Sequence, residues 1–390
     1  MAQRIAVGID VGTYQVRVVV ARTDDGSTGY PKIIGTGYAE SKGLRHGYIV
    51  NIDDVARSIR IAAGQAEKTS GVKIRDAFLS IGGIGLDEAR SRGETIIARA
   101  DAEVTDLDIE KAVETAREHA TSRLVNRRVI HTVPLSYAID GVEVLGRPQG
   151  MKGTKLAVEV LYVTCLEQHV VDLVDAVESA EIGVSDVMAA PLAGSIVSLT
   201  TAEKKAGCVL ANIGSETVSI VVFDNGIPIS VKVFKIGSMD ITKDIALGLR
   251  ISLDEAEQLK LGAITHTTYP RKKLDDILAA RLTDIFELID NHLKKLGRDQ
   301  LLPAGIILTG GGSGIGPIKD IAEHALKLHS KTASLSIAPD AKIKDSSWMV
   351  AYGLTIWGLT GAEGLGRPRL RAAAQHFGKS VISFFRQFLP

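Results

Sequence analysis

Two short segments carry residue types suited to gripping phosphate. Asp10-Val11-Gly12-Thr13 stands between the apolar runs 5–9 and 16–20, and Asn212-Ile213-Gly214-Ser215 stands between the apolar runs 208–211 and 218–223. Glycine lets backbone N–H groups come close to phosphate oxygens, and a neighbouring carboxylate such as Asp10 can hold a hydrated magnesium ion. One such tetrapeptide is also an ordinary strand turn, because Asp and Gly are turn formers. Its recurrence about two hundred residues later is the mark of an internally duplicated fold and favours nucleotide binding. A third cluster, Gly310-Gly311-Gly312, follows the apolar strand 305–309 and can bring backbone close to a ligand. No Walker-type glycine loop with Lys-Ser/Thr is present, and no GxGxxG follows the first strand.

The elements that must position these residues follow from periodicity. Residues 4–22 read as a hairpin, followed by a strand at 33–38 and a helix from Ile52 carrying Val55, Ile59 and Ala63 at helical spacing. Residues 76–82 read as a buried strand. From 84 to 160 the sequence is richer in charge, with an amphipathic helix through Ile109, Val113 and Ala116 and strands at 128–133, 137–139 and 155–163, as in an inserted subdomain. A helix through Val170, Leu173, Val174 and Val177 precedes the second hairpin, which ends in the turn Asp224-Asn225-Gly226. Residues 240–298 read as a long helical region. Within it Ile277, Leu278, Leu282, Ile285, Leu288 and Ile289 have the spacing of a core face. Residues 361–371 have linker composition.

The 390 residues are enough for two domains, and 45% hydrophobic with 24% charged residues is the composition of a globular protein. Basic and acidic residues balance at 46 each, so no global field draws the chain to nucleic acid. Cys165 and Cys208 lie in apolar, strand-like runs and read as buried thiols of a reducing compartment, outside any metal-ligand cluster. No signal peptide and no window of roughly 20 apolar residues is seen, which points to a cytoplasmic location.

In order, GIDVGTYQVRVVV, ANIGSETVSIVVFDNG, IILTGGGSGIG and SSWMVAYGL resemble the phosphate-1, phosphate-2, adenosine and connect-2 motifs of the actin, heat-shock chaperone and sugar kinase superfamily. HTVPLSYAIDGVEVLGRPQGMKGTKLAVEVLYVT resembles the insert carried by the bacterial FtsA family, and KVFKIGSMDITKDIALGLRISLDEAEQLK is a second FtsA-like block. The resemblance spans essentially the whole chain. It implies an α/β, actin-like (ribonuclease H-like) duplicated fold with two domains around a nucleotide cleft. The implied parts are subdomain 1A at 1–83 plus 165–205, with a contribution from about 345–360, and an FtsA-type inserted subdomain 1C at 84–164. Subdomain 2A would be 206–239 plus 304–344 and subdomain 2B 240–303, followed by a linker at 361–376 and a membrane-targeting helix at 377–390. The implied function is an ATP-binding division protein that polymerises at the cytoplasmic face of the membrane, at the division site. There it recruits FtsZ through subdomain 2B, with other division proteins as further partners. A PilM-type pilus-assembly homologue and a small-molecule kinase are the alternatives.

Carried over by motif, Asp10 orients magnesium-bound waters, Gly12, Thr13 and Tyr14 wrap the phosphates from one side, and Gly214, Ser215 and Glu216 approach from the other. Gly237 and Ser238 match connect-1, Glu257 and Lys260 the pair beside ribose and adenine, and Gly310, Gly311 and Gly312 the adenosine loop. Two departures bear on mechanism. Asn212 replaces an aspartate, which loses negative charge that would hold magnesium or polarise water, and Ser215-Glu216 replace glycines, with Glu216 placing a like charge near phosphate, so slow or absent hydrolysis is expected. Gln15 stands where relatives often have lysine, with Arg17 in reach of the phosphates.

At the C-terminus Phe377, Val381, Phe384, Phe385 and Phe388 share one helical face with Ile382 and Leu389, opposite Lys379, Arg386 and Gln387. Arg367, Arg369 and Arg371 precede it, each worth about 1 kcal/mol near an anionic leaflet. This pattern is that of an interfacial membrane helix, and FtsA proteins end in a comparable one.

Overall fold

The computed structural model describes residues 4–23, 30–263, 269–334 and 345–360. The chain begins with β1 (Arg4–Val11), β2 (Gln15–Thr23) and β3 (Lys32–Glu40), then a small hairpin of β4 (Leu44–Arg45) and β5 (Tyr48–Ile49), helix α1 (Ile52–Ser70) and β6 (Asp76–Ile81). Helix α1 starts where the Asn51 side chain accepts the Asp54 N–H, and it stops at Gly71 with φ +70°. An insert follows: β7 (Leu86–Ile96), α2 (Asp106–His119), β8 (Arg127–Ile139), β9 (Val142–Val144) and β10 (Lys155–Leu166). The chain returns through α3 (Glu167–Ser179), β11 (Gly183–Ala189), α4 (Ala190–Ser198) and α5 (Thr201–Ala206). The second half comprises β12 (Cys208–Ile213), β13 (Val218–Asp224), β14 (Ile227–Phe234), α6 (Ser238–Leu249), α7 (Leu253–Lys260), α8 (Arg271–Leu296), β15 (Ile306–Thr309), α9 (Ile318–Leu326), β16 (Ser330–Thr332) and α10 (Met349–Thr360).

The duplication read from the two hairpins is a duplication of whole sheets. The first sheet has the order β3-β2-β1-β6-β11 and the second β14-β13-β12-β15-β16. In each, three strands form an antiparallel meander and two add in parallel beside the first of them. Helices α4 and α10 pack on each other, α4 touching β12 and β13 of the second sheet and α10 lying on β1 and β2 of the first. One core cluster therefore runs from Val18 and Ile59 through Ala193 and Leu354 to Leu210 and Val221. The opposite face of the second sheet buries Ile213 and Ile220 against Ile241, Leu282 and Phe286. Each sheet with its helices is one lobe.

The insert is a four-stranded antiparallel sheet, β7-β10-β8-β9, with a core of its own around Ile109, Ala116, Leu156 and Tyr162. Its strand β7 was not foreseen. The segment LDEARSRGETI is dense in charge and lacks clean alternation, but Gly93 lets α2 settle on it, since a Cβ there would lie 2.0 Å from Ala112 O. The strands expected at 128–133 and 137–139 are one strand, β8, whose register shifts near Pro134 and leaves Leu135 as a bulge. The single helical region expected at 240–298 is three helices, interrupted at Arg250 with φ +58° and again between Lys260 and Arg271. Leu288, expected in the core face of α8, is 39% exposed, and Phe286 and Leu293 are buried instead. Both cysteines are free and buried.

Candidate functional site: two glycine hairpins and the loops that meet them

The two hairpins close in the same way. Strands β1 and β2 pair down to Val11 and Val16, and the turn is fixed by Gly12 N–H donating to Gln15 O at 3.2 Å. Strands β12 and β13 pair down to Ile213 and Val218, with Gly214 N–H donating to Thr217 O at 2.9 Å. A Cβ would come within 2.7 Å of Thr217 O at Gly214, which requires glycine there, and 3.0 Å from Gln15 O at Gly12, a tight contact that favours it. Thr13 is half-buried and Tyr14 exposed at the tip of the first turn, while Ser215 and Glu216 form the tip of the second.

Asp10 is half-buried and faces Arg17 directly across the first hairpin. Burial pushes its carboxyl above the ordinary carboxylate range, opposed by the Ser80 hydroxyl, which donates to Oδ1 at 2.7 Å, and by the Arg17 charge. Burial likewise lowers the Arg17 guanidinium, with Asp10 and Asp345 opposing. Arg17 Nη2 donates to Gln15 Oε1 at 3.0 Å, and its guanidinium lies 5.7 Å from the Trp348 ring centroid. Arg17 Nε is buried with no hydrogen-bond partner among the described residues. Gln15 thus supports Arg17 from two positions along the same strand.

On the second lobe the glycine loop and connect-1 meet the second hairpin. Gly310 has φ +84°, and a Cβ on it would lie 2.2 Å from Asn212 Oδ1, while one on Gly312 would lie 2.5 Å from Ile213 Cγ2; Gly311 faces open space. Gly237 is pressed against the turn, a Cβ there meeting Ser215 O at 2.2 Å. The first amides of α6 donate into the turn as well, Ser238 N to Gly214 O at 2.9 Å and Met239 N to Ser215 O at 2.8 Å. Ser346, just before α10, takes part in the loop: Thr309 Oγ1 donates to Ser346 O at 3.0 Å, and the Ser313 and Ser346 hydroxyls are 3.0 Å apart.

Two residues expected beside the ligand bond within the protein. The Lys260 ammonium is buried and makes three hydrogen bonds, to Glu257 Oε2 at 2.7 Å, Thr242 Oγ1 at 2.9 Å and Ser238 O at 3.2 Å. It staples α7 to the start of α6, and Glu257 Oε2 also accepts Thr242 Oγ1 at 2.6 Å. Glu216, expected to place charge near phosphate, accepts the His46 N–H on Oε2 at 2.5 Å. Ser80, His46, Ser346 and Trp348 were not singled out from sequence; Ser80 and His46 reach the site only through tertiary pairing, whereas Trp348 lies inside the connect-2 segment. Among the described residues no cluster of three or more His, Cys, Asp or Glu gathers to hold a metal directly. Phe377, Val381, Phe384, Phe385, Arg386, Phe388 and Leu389 lie outside the described residues.

Duplicated mixed sheets joined through α4 and α10, with glycine turns at corresponding strand ends, define an actin-like α/β protein. The family described as "Cell division protein FtsA" matches residues 209–353, and "SHS2 domain inserted in FTSA" matches 87–164. The chain is 30% identical over 381 residues to the cell division protein FtsA of Pseudomonas aeruginosa, covering 91% of this chain and 89% of that protein. It is 29% identical over 369 residues to that of Bacillus subtilis, covering 89% and 82%. Among solved structures, the PilM-PilN type IV pilus biogenesis complex superposes with a TM-score of 0.69 at 17% identity, covering 91% of this chain and 98% of that one, which speaks to the fold alone. The chain belongs to the FtsA family of cell division proteins.

Proposed function

We propose that this FtsA-family protein binds ATP with magnesium between its lobes, polymerises at the cytoplasmic face of the membrane at the division site, and tethers FtsZ filaments there. The observation that carries the nucleotide reading is the pair of matching glycine turns, one on each lobe, closed by the same backbone hydrogen bond. The residues fit such a group. Asp10 has one oxygen taken by Ser80, leaving the other for a magnesium-bound water, and its disfavoured negative charge would be relieved by a cation. The orphaned Arg17 Nε is a buried donor suited to a phosphate oxygen. Magnesium would neutralise phosphate charge; Asp10 would orient its waters, Thr13 and Ser215 at the turn tips would offer backbone amides, and Gly12 and Gly214, whose own N–H groups close the turns, would keep Cβ atoms out of the way. Asn212 leaves the second hairpin without a carboxylate at its base, which supports slow or absent hydrolysis and a site that gates assembly.

Subdomain 2B, 240–303, is the expected docking region for the FtsZ C-terminal peptide. A groove of about 790 Å³ borders it, lined by Thr283, Glu287, Asp290 and Lys294 of α8 and Asp320 and His324 of α9. Among the described residues no helix is long and apolar enough to cross a membrane. The sequence from Phe377 onward supports attachment at the surface, since its apolar spacing is of the kind that binds weakly as one helix and firmly when a filament presents many. FtsA membership at 30% identity over most of the chain favours this reading over a pilus-assembly role. Electron microscopy of the full chain with ATP on a lipid monolayer tests it: membrane-bound filaments are expected, and their absence with ATP, together with equal liposome pelleting of the full chain and of a chain ending at Ala374, refutes it.

A further inference from the structure

Glu216 is the residue by which the second hairpin departs most in charge from a glycine-rich phosphate turn, and the fold gives it a specific partner. Its Oε2 accepts the backbone N–H of His46 at 2.5 Å, and His46 Nδ1 lies 3.4 Å from Glu216 O. Glu216 belongs to the second lobe, whereas His46 sits in the turn between β4 and β5 of the first. Both side chains are partly buried, 20% exposed for His46 and 27% for Glu216.

The His46 turn is a firm anchor. His46 and Gly47 have φ +51° and +88°, and Gly47 lies so close to Gly83 that a Cβ on it would be 2.3 Å from Gly83 Cα. Ile84 N–H donates to His46 O at 3.2 Å, which ties the turn to the segment entering the insert. On the other side, the Glu216 backbone is held by Gly237, packed on Ser215 and Glu216 N, and by α6 amides that donate to Gly214 O and Ser215 O. A carboxylate accepting an N–H is a charge-assisted hydrogen bond, among the stronger kinds available. Here it joins two rigid turns from opposite lobes at the mouth of the candidate nucleotide site.

We propose that Glu216 is a positioning residue that clasps the two lobes together, holding the nucleotide-free chain in a closed arrangement and slowing nucleotide exchange. A clasp of this kind acts on lobe closure and leaves phosphate contact to the other groups of the turns. The part about exchange rests on the ATP reading above, whereas the part about lobe closure does not.

Spin labels placed at two exposed positions, Ile61→Cys on α1 of the first lobe and Leu247→Cys on α6 of the second, report the distance between lobes by pulsed electron resonance. Cys165 and Cys208 are buried, and a chain lacking the introduced cysteines controls for their labelling. Without nucleotide, the parent is expected to give one narrow distance distribution and Glu216→Ala a broader one shifted to longer distances. Glu216→Gln, which keeps an acceptor oxygen, restores most of the narrow component. His46→Gly keeps both the N–H and the positive φ and stays narrow. With a fluorescent ATP analogue, dissociation from Glu216→Ala is about tenfold faster, the change expected for losing one such bond of about 1.4 kcal/mol. A Glu216→Ala distribution identical to the parent's or, should that chain not fold, a Glu216→Gly distribution identical to it overturns the clasp. Failure of the parent to bind the analogue overturns the ATP reading instead, and the distance measurement still decides the clasp.

Discussion

Arg17 lies over the ring of Trp348, the guanidinium carbon 5.7 Å from its centroid. Trp348 immediately precedes α10, which packs on β1, β2 and α4, and Ser346 two residues earlier bonds the glycine loop of the second lobe. A residue of the first glycine hairpin is thereby coupled to the glycine loop of the other lobe. Replacing Arg17 with Lys keeps the charge but loses the planar stack and the hydrogen bond to Gln15. Nucleotide affinity is expected to fall about tenfold in Arg17→Lys, by roughly the 1–2 kcal/mol of a stacked, charge-assisted contact. Trp348→Leu should fall in the same direction. Titration with a fluorescent ATP analogue checks both.

Asp10 behaves oppositely in stability and in binding. Its carboxyl pKa is raised in the fold, so its contribution to stability is complete below the unfolded value near 3.8 and is lost as pH rises through the folded value. At pH 7 the charged group is a local cost that a bound cation would offset. Asp10→Asn keeps an oxygen for the Ser80 hydroxyl and removes that cost. The nucleotide-free variant is expected to melt at a higher temperature than the parent, while losing magnesium-dependent nucleotide affinity. Calorimetry with and without magnesium-ATP distinguishes this from simple destabilisation, which would lower both.

Gly310 and Gly311 are adjacent glycines with different obligations. Gly310 combines φ +84° with an Asn212 oxygen where its Cβ would be, whereas Gly311 has nothing within 4 Å. Gly310→Ala should displace the glycine loop from the second hairpin, lowering the melting temperature and nucleotide affinity together. Gly311→Ala should leave the melting temperature of the free protein within a degree or so, since open surface changes cost little, and weaken nucleotide binding alone. Thermal melts beside nucleotide titrations separate the two.

The hairpins were legible because their signal is local: apolar runs, a glycine, and apolar runs again, twice. The matching sheet orders give that repetition its topology. Strand β7 was not legible, because Asp87, Glu88, Arg90, Arg92 and Glu94 break the expected period, and the first of these make sense only against another element. Glu88 accepts Ser230 Oγ at 2.9 Å and Val231 N at 2.7 Å, and Asp87 accepts Lys232 Nζ at 2.8 Å, so the charged strand seals the insert against β14. Lys260 and Glu216 illustrate the same limit. Both stand where a ligand contact was expected, and both are engaged by groups distant in sequence, Ser238 O and the His46 N–H. Residue type and spacing picked out the two hairpins and the glycine loop, and the family resemblance the segments around them; which partner each side chain takes depended on the packed neighbours.

The seam between insert and second lobe carries a pH dependence whose sign can be worked out. Ser230, fully buried, lies between Glu88 Oε1 and His292 Nε2, the latter at 2.8 Å. Burial, aided by the charges of Lys232, Lys295 and Arg90 and opposed by Asp87, pulls the His292 pKa down to about 4. Its folded value lies below the unfolded value near 6.5, so the stability tied to neutral His292 is complete above pH 6.5 and is lost as pH falls towards 4. Glu88, raised by burial, acts in the opposite sense, its contribution being complete below about 4.5 and declining as pH rises. His292→Gln removes the titration while keeping an amide able to donate to Ser230. Between pH 7 and 4.5 the parent should lose about 1–2 °C more in melting temperature than this variant, the shift that about 1 kcal/mol produces in a chain of this length. His131, held down to about 3 by burial, supplies an acid sensitivity common to both chains, so the comparison isolates the seam. Equal slopes for parent and variant would show that His292 is protonated in the fold at no cost, and the buried seam would then have to be hydrated.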